Sequence, residues 1–66
     1  AGGLLADARE YYSVALRLEK EDPVLWINAG TLDRQLGENK AAIDKYSKAL
    51  MLNPNDAYAH YNLGAT

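Results

Sequence analysis

A chain of 66 residues has room for one small folding unit, and a core of that size is marginal without a staple or a partner. It has no cysteine, so neither a disulfide nor a thiolate metal site supplies the staple. A net charge of −2, with seven basic residues scattered along the sequence, gives no electrostatic footprint for nucleic acid or an anionic membrane.

Ala1-Gly2-Gly3 reads as a loop or a cloning remnant. The spacing then predicts a first helix over Leu4 to Glu19, with Leu5, Ala8, Tyr12, Ala15 and Leu16 on one face and Tyr11, Val14 and Leu18 as a second apolar rim. Glu19-Lys20-Glu21 is a polar turn. Asp22-Pro23 opens the next helix, because Asp caps well and Pro is tolerated at the first helical position. That second helix runs from Pro23 to Leu36 with a Leu25, Ala29, Leu32, Leu36 stripe, flanked by Trp26 and Gly30. A glycine inside a helix costs about 1 kcal/mol relative to alanine. A close helix–helix approach is the expected reason for Gly30.

Gly37 ends the second helix at a position suited to a left-handed conformation. Asn39 is expected to cap the third, Lys40 to Leu52, whose buried face should carry Ala42, Ile43, Tyr46, Ala49, Leu50 and Met51. Asn53-Pro54-Asn55 is turn chemistry, and Asp56 repeats the capping role of Asp22. Ala57 to Thr66 begins a fourth helix, too short to be stable alone. No strand pattern competes, so the expected fold class is all-α.

The segment from Gly3 to Lys20 is a shadow of Gly37 to Pro54. At an offset of 34 residues, identity holds at Gly3, Ala8, Tyr12, Ser13, Ala15, Leu16, Leu18, Asp22, Asn28 and Gly30. Self-similarity at a fixed period of this size points to a stacked-repeat architecture.

The chain resembles the tetratricopeptide repeat (TPR) family, whose signature is W-x2-L-G-x2-Y, then A-x3-F, then P. The central unit carries Trp26, Ala29, Gly30 and Asp33, then Ala42, Tyr46 and Ala49, then Pro54. The preceding half gives Ala8, Tyr12 and Ala15, and the following half gives His60, Leu63 and Gly64. The resemblance implies antiparallel helix-turn-helix repeats of an α-solenoid. Residues 3–22 would be the second helix of one repeat, 23–56 a complete repeat, and 57–66 the start of the next. Three positions depart from the pattern: Asp33 replaces a large aromatic or aliphatic residue, Ala29 a larger aliphatic, and Lys20 a proline. Asp33 should weaken the seam between its two helices unless Arg9, Lys40 or Lys45 pairs with it. On that reading Asp33→Leu stabilises.

The family's first helices line a concave groove for a peptide. Carried over residue by residue, the groove positions are Val24, Ile27, Asn28, Thr31, Arg34 and Gln35, followed by Tyr58, Tyr61 and Asn62. The alternative at each is a solvated helix face. Asn28 and Asn62 recur with the repeat although Asn is a poor helix-interior residue. An amide both donates and accepts, which suits a peptide backbone of any sequence. The pair is similar to the asparagine ladder in the TPR domain of a glycosyltransferase, and bonding within the helix is the alternative. A clamp for a C-terminal carboxylate would need more groove cations than Arg34.

Catalysis has little footing. His60 is the single histidine and sits where the family carries a bulky packing residue. Ser13 and Ser47 recur in phase without a base nearby in sequence. No glycine-rich phosphate loop or metal-ligand spacing occurs, so no cofactor or metal is expected. No apolar run approaches the roughly 18 residues of a membrane span, and no signal-peptide pattern is present. The expectation is a non-enzymatic module that binds a protein or peptide partner, with neither nucleic acid nor membrane insertion, cytoplasmic by default. The alternatives are a substrate-docking or regulatory segment of a larger enzyme and a self-associating scaffold. Stacked repeats generally need three or more units, so the 66-residue chain is read as part of a longer solenoid that self-associates when isolated.

Overall fold

The computed structural model describes residues 3–66, and the side chains of these except residues 3, 5 and 6. The loop reading of Ala1-Gly2 and the place of Leu5 on the first apolar stripe lie outside the described residues, whereas Gly3, read with that loop, is the first residue of a helix. Four helices run in chain order: α1 (Gly3–Leu18), α2 (Pro23–Gln35), α3 (Asn39–Leu52) and α4 (Ala57–Ala65). No strand occurs among the described residues. Helix α3 packs on both α2 and α4, while α1 lies against α2. The described part measures 37 × 27 × 15 Å, a slab of helices laid side by side.

Short-range chemistry sets the helix ends. The Asp22 carboxylate accepts a hydrogen bond from the Val24 N–H at 3.0 Å, and Pro23 follows at the first helical position, where its missing N–H has no partner to lose. Asp56 does the same for α4, accepting from the N–H groups of Tyr58 and Ala59. At the end of α2, Gly37 turns the chain with φ +84°. Its N–H donates to the Arg34 carbonyl at 3.0 Å, and the Glu38 N–H donates to the Asp33 carbonyl at 2.8 Å. This doubly bonded Schellman stop closes the carbonyls that a helix end leaves open. It also reverses the chain one residue early. The cap of α3 is therefore Glu38, with no side-chain bond, and Asn39 is its first helical residue. Asn39 is not the cap that the sequence suggested, because the Schellman turn already fixes the backbone there.

The core gathers Ile27 from α2, Ala42, Tyr46 and Ala49 from α3 and Ala59 from α4, with Trp26, Leu50 and Leu63 packed around it. Small residues at 42, 49 and 59 let the helix axes close up, and one large ring fills the wedge between them. Two expected core positions are corrected. Ile43 is partly exposed and Met51 is 75% exposed, because the apolar stripe of α3 is only as wide as its contact with α2 and α4. On α1, Leu16 is buried, whereas Tyr11 and Leu18 of the second rim are largely exposed.

Asp33 is also buried, at 1% exposure. Lys45 of α3 pairs with one carboxylate oxygen, and the Arg9 Nε of α1 stands 4.0 Å from the other. The sequence named both as conditional partners. The acid ties α2 to its hairpin mate and to the preceding helix together.

Candidate functional site

Helix α2 presents Val24, Asn28, Thr31 and Gln35 at intervals of four, three and four residues, which places them on one stripe. Asp22 and Pro23 fix where that stripe starts. Val24, Asn28 and Gln35 are exposed, and Thr31 and Arg34 are half-buried. Helix α4 begins from an equivalent Asp56 cap, so its first turn repeats the register of α2. Tyr58, which occupies the slot of Val24 one repeat later, is likewise more than half exposed. Tyr61 is 72% exposed. Val24 and Tyr58 thus hold one slot of two helices 34 residues apart, with Tyr61 as a second exposed aromatic on α4 and the amides of Asn28 and Gln35 exposed on α2.

Three of the sequence-derived groove residues turn inward or are buried. Ile27 is 3% exposed and belongs to the core, clustered with residues of α3 and with Ala59 of α4. Thr31 turns its hydroxyl inward. Its Oγ1 donates to the Ile27 carbonyl at 3.0 Å and lies 3.0 Å from the Tyr46 hydroxyl. With the Thr31 proton committed to a carbonyl, the Tyr46 O–H is the donor in that second bond. Asn62 is 3% exposed, and its Nδ2 donates to the Tyr58 carbonyl within its own helix. Asn28 and Asn62 are therefore unlike: one amide faces solvent, and the other is closed into α4.

The repeat is visible in another pair. The Trp26 Nε1–H donates to the Lys20 carbonyl at 2.7 Å, and His60 Nε2 lies 3.0 Å from the Pro54 carbonyl. Both contacts span the turn before a first helix, at positions 34 residues apart. A carbonyl only accepts, so Nε2 of His60 carries the hydrogen, and the imidazole stands in for the indole. Ser13 donates to the Arg9 carbonyl at 3.0 Å within α1. Among the described residues no cluster of three His, Cys, Asp or Glu is placed to hold a metal ion. No helix among them is long and apolar enough to cross a membrane.

A family model described as "TPR repeat" matches residues 30–66, more than half of the chain. The chain belongs to the tetratricopeptide repeat family. Two curated proteins are similar over most of its length. The peroxisomal targeting signal receptor of Candida albicans is 34% identical over 55 residues, covering 83% of this chain and 9% of that protein. Superkiller protein 3 of Saccharomyces cerevisiae is 30% identical over 56 residues, covering 85% of this chain and 4% of that protein. The chain thus spans less than a tenth of either relative. Helices α2 and α3 approach closely where Gly30 lies against the Tyr46 ring. As a TPR unit, the chain is a protein–protein interaction module.

Sequence reasoning missed the inward turn of Thr31. The available signal was Tyr46 itself, which stands at a slot the family fills with phenylalanine. A buried phenol needs a hydrogen-bond partner, and Thr31 is the half-buried hydroxyl that supplies it.

Proposed function

We propose that the face built from α2 and α4 holds an extended segment of a partner protein. The supporting observation is the register of Val24 and Tyr58, exposed apolar side chains at one slot of two successive first helices. Solvent-facing apolar groups in a repeated arrangement offer pockets for alternate side chains of a ligand, while Asn28 and Gln35 can bond to its backbone. Buried Ile27 and Asn62 would shape this face from beneath and make no direct contact. That one relative is named as a receptor for a targeting signal is consistent with a unit that reads a segment of another protein. On this reading the chain is non-enzymatic. Its single imidazole is tied to a turn carbonyl, and Ser13 is bonded within its own helix.

The test begins with peptides selected on the 66-residue chain from a random displayed library. Their affinity is then measured for Asn28→Ala and Tyr58→Ala, both on exposed side chains. Each variant should weaken binding at least threefold while the thermal midpoint stays unchanged. Unchanged affinity in both would remove this face from consideration.

A further inference from the structure

Helices α1, α2 and α3 meet around a cleft of ≈ 540 Å³ lined by Leu16, Arg17, Lys20, Trp26 and Lys48. It lies at the α1–α2 turn and shares no residue with the Val24–Tyr58 face. Leu16 is buried and Trp26 half-buried, so the floor is apolar. Lys20 and Arg17 are exposed and Lys48 is half-buried, so the rim is cationic. The ion pairs among the described residues, Arg9–Asp33 and Lys45–Asp33, use none of these three cations. The acids Glu19, Glu21 and Asp22 line an adjoining indentation, whose wall Lys20 shares with the cleft. Three of the seven basic residues, scattered in the sequence, thus line one cleft with the indole.

We infer that this cleft is a second binding site, for an acidic peptide segment carrying one apolar side chain between carboxylates. The apolar side chain would lie against Trp26 and Leu16. Its flanking carboxylates would answer Arg17, Lys20 and Lys48, none of which is in an ion pair among the described residues. Charge complementarity selects the ligand, since a basic or neutral segment leaves three cations without a counterpart. The indole is anchored at the cleft by its bond to the Lys20 carbonyl.

Trp26 is the single tryptophan of the chain, so its fluorescence reads occupancy of the cleft directly. The probe is the blocked pentapeptide Asp-Glu-Leu-Asp-Glu, compared with Asn-Gln-Leu-Asn-Gln at low ionic strength. The acidic peptide should give a saturable change in Trp26 emission that fades as salt is raised, and the neutral one should bind at least about fivefold more weakly. Arg17→Gln and Lys48→Gln should each reduce affinity about two- to fivefold, and together about tenfold. If the double variant folds poorly, the salt dependence and the acidic-to-neutral ratio on the parent chain decide the matter alone. Equal binding of the two peptides, or no saturable change, would overturn the inference. Tighter binding of a single-stranded oligonucleotide of equal charge would also overturn it, by assigning the cleft to nucleic acid.

Discussion

The ring of Tyr46 lies on the bare Cα of Gly30: a Cβ built there would stand 2.9 Å from Cε1 and 3.0 Å from Cδ1. Tyr46 is fully buried, so its ring has no free direction in which to yield. Gly30→Ala gains about 1 kcal/mol of helix propensity and loses about 1–3 kcal/mol to overpacking. A net loss of stability is expected in urea unfolding followed by circular dichroism. Gly64 occupies the same slot one repeat later and has nothing within 4 Å. Gly64→Ala should therefore stabilise, by less than about 1 kcal/mol near a helix end. Stabilisation by both alanines would refute the packing role given to Tyr46.

The hydroxyl chain from Tyr46 through Thr31 to the Ile27 carbonyl predicts a non-additive pair. Thr31→Val strands a buried phenol, at a cost of about 1–3 kcal/mol, whereas Tyr46→Phe removes a bond worth about 1 kcal/mol. The double variant should be closer to the parent than the sum of the two single losses. Strict additivity would mean that the two hydroxyls do not share a bond in solution.

Asp33 reverses an expectation drawn from the sequence. Read alone, a carboxylate in the hairpin seam invites replacement by leucine. With Lys45 and Arg9 turned toward it, Asp33→Leu should lower the melting midpoint, because it discards both contacts that tie α2 to its neighbours. Lys45→Met should cost more, about 2–4 kcal/mol. It leaves the buried carboxylate facing only Arg9, whereas the cations freed by Asp33→Leu are partly exposed and regain water. A larger loss for Asp33→Leu than for Lys45→Met would contradict this ordering.

Helix α1 displays Leu4, Tyr11 and Leu18, the last 79% exposed, and a shallow depression of ≈ 230 Å³ lies between Tyr11, Val14, Ala15 and Leu18. Tyr12 and Ala15 are half-buried, while their counterparts Tyr46 and Ala49 are fully buried. Self-association of the 66-residue chain through this face is the expected outcome. Sedimentation equilibrium should show a mass that rises with concentration, and Leu18→Glu should suppress the rise. A well-folded monomer across the micromolar range would contradict it.

How far these features are legible in the sequence follows from the range of the forces involved. The caps at Asp22 and Asp56 and the stop at Gly37 are local, and sequence chemistry shows them directly. Gly30, Ala42, Tyr46 and Ala49 match the repeat signature and are buried where α2 meets α3, so that packing was visible too. Ile27 and Asn62 were not, since Ile27 is buried by residues of two later helices and the same amide serves a surface or an interior equally well. Met51 looks apolar by type, yet it lies beyond the width of the contact that α3 makes. The gathering of Arg17, Lys20 and Lys48 depends on how α1 crosses the hairpin, which linear charge patterning does not encode.

The proposed peptide face is tested most directly by amide chemical-shift mapping of the labelled chain with a library-selected peptide. Shifts should concentrate at Val24, Asn28, Gln35, Tyr58 and Tyr61, and leave Lys40, Asp44 and Met51 on the outer side of α3 in place. Saturable shifts confined to α3 or to the Arg17–Lys48 cleft, with none at Val24 or Tyr58, would contradict the assignment of the first-helix face as the binding surface.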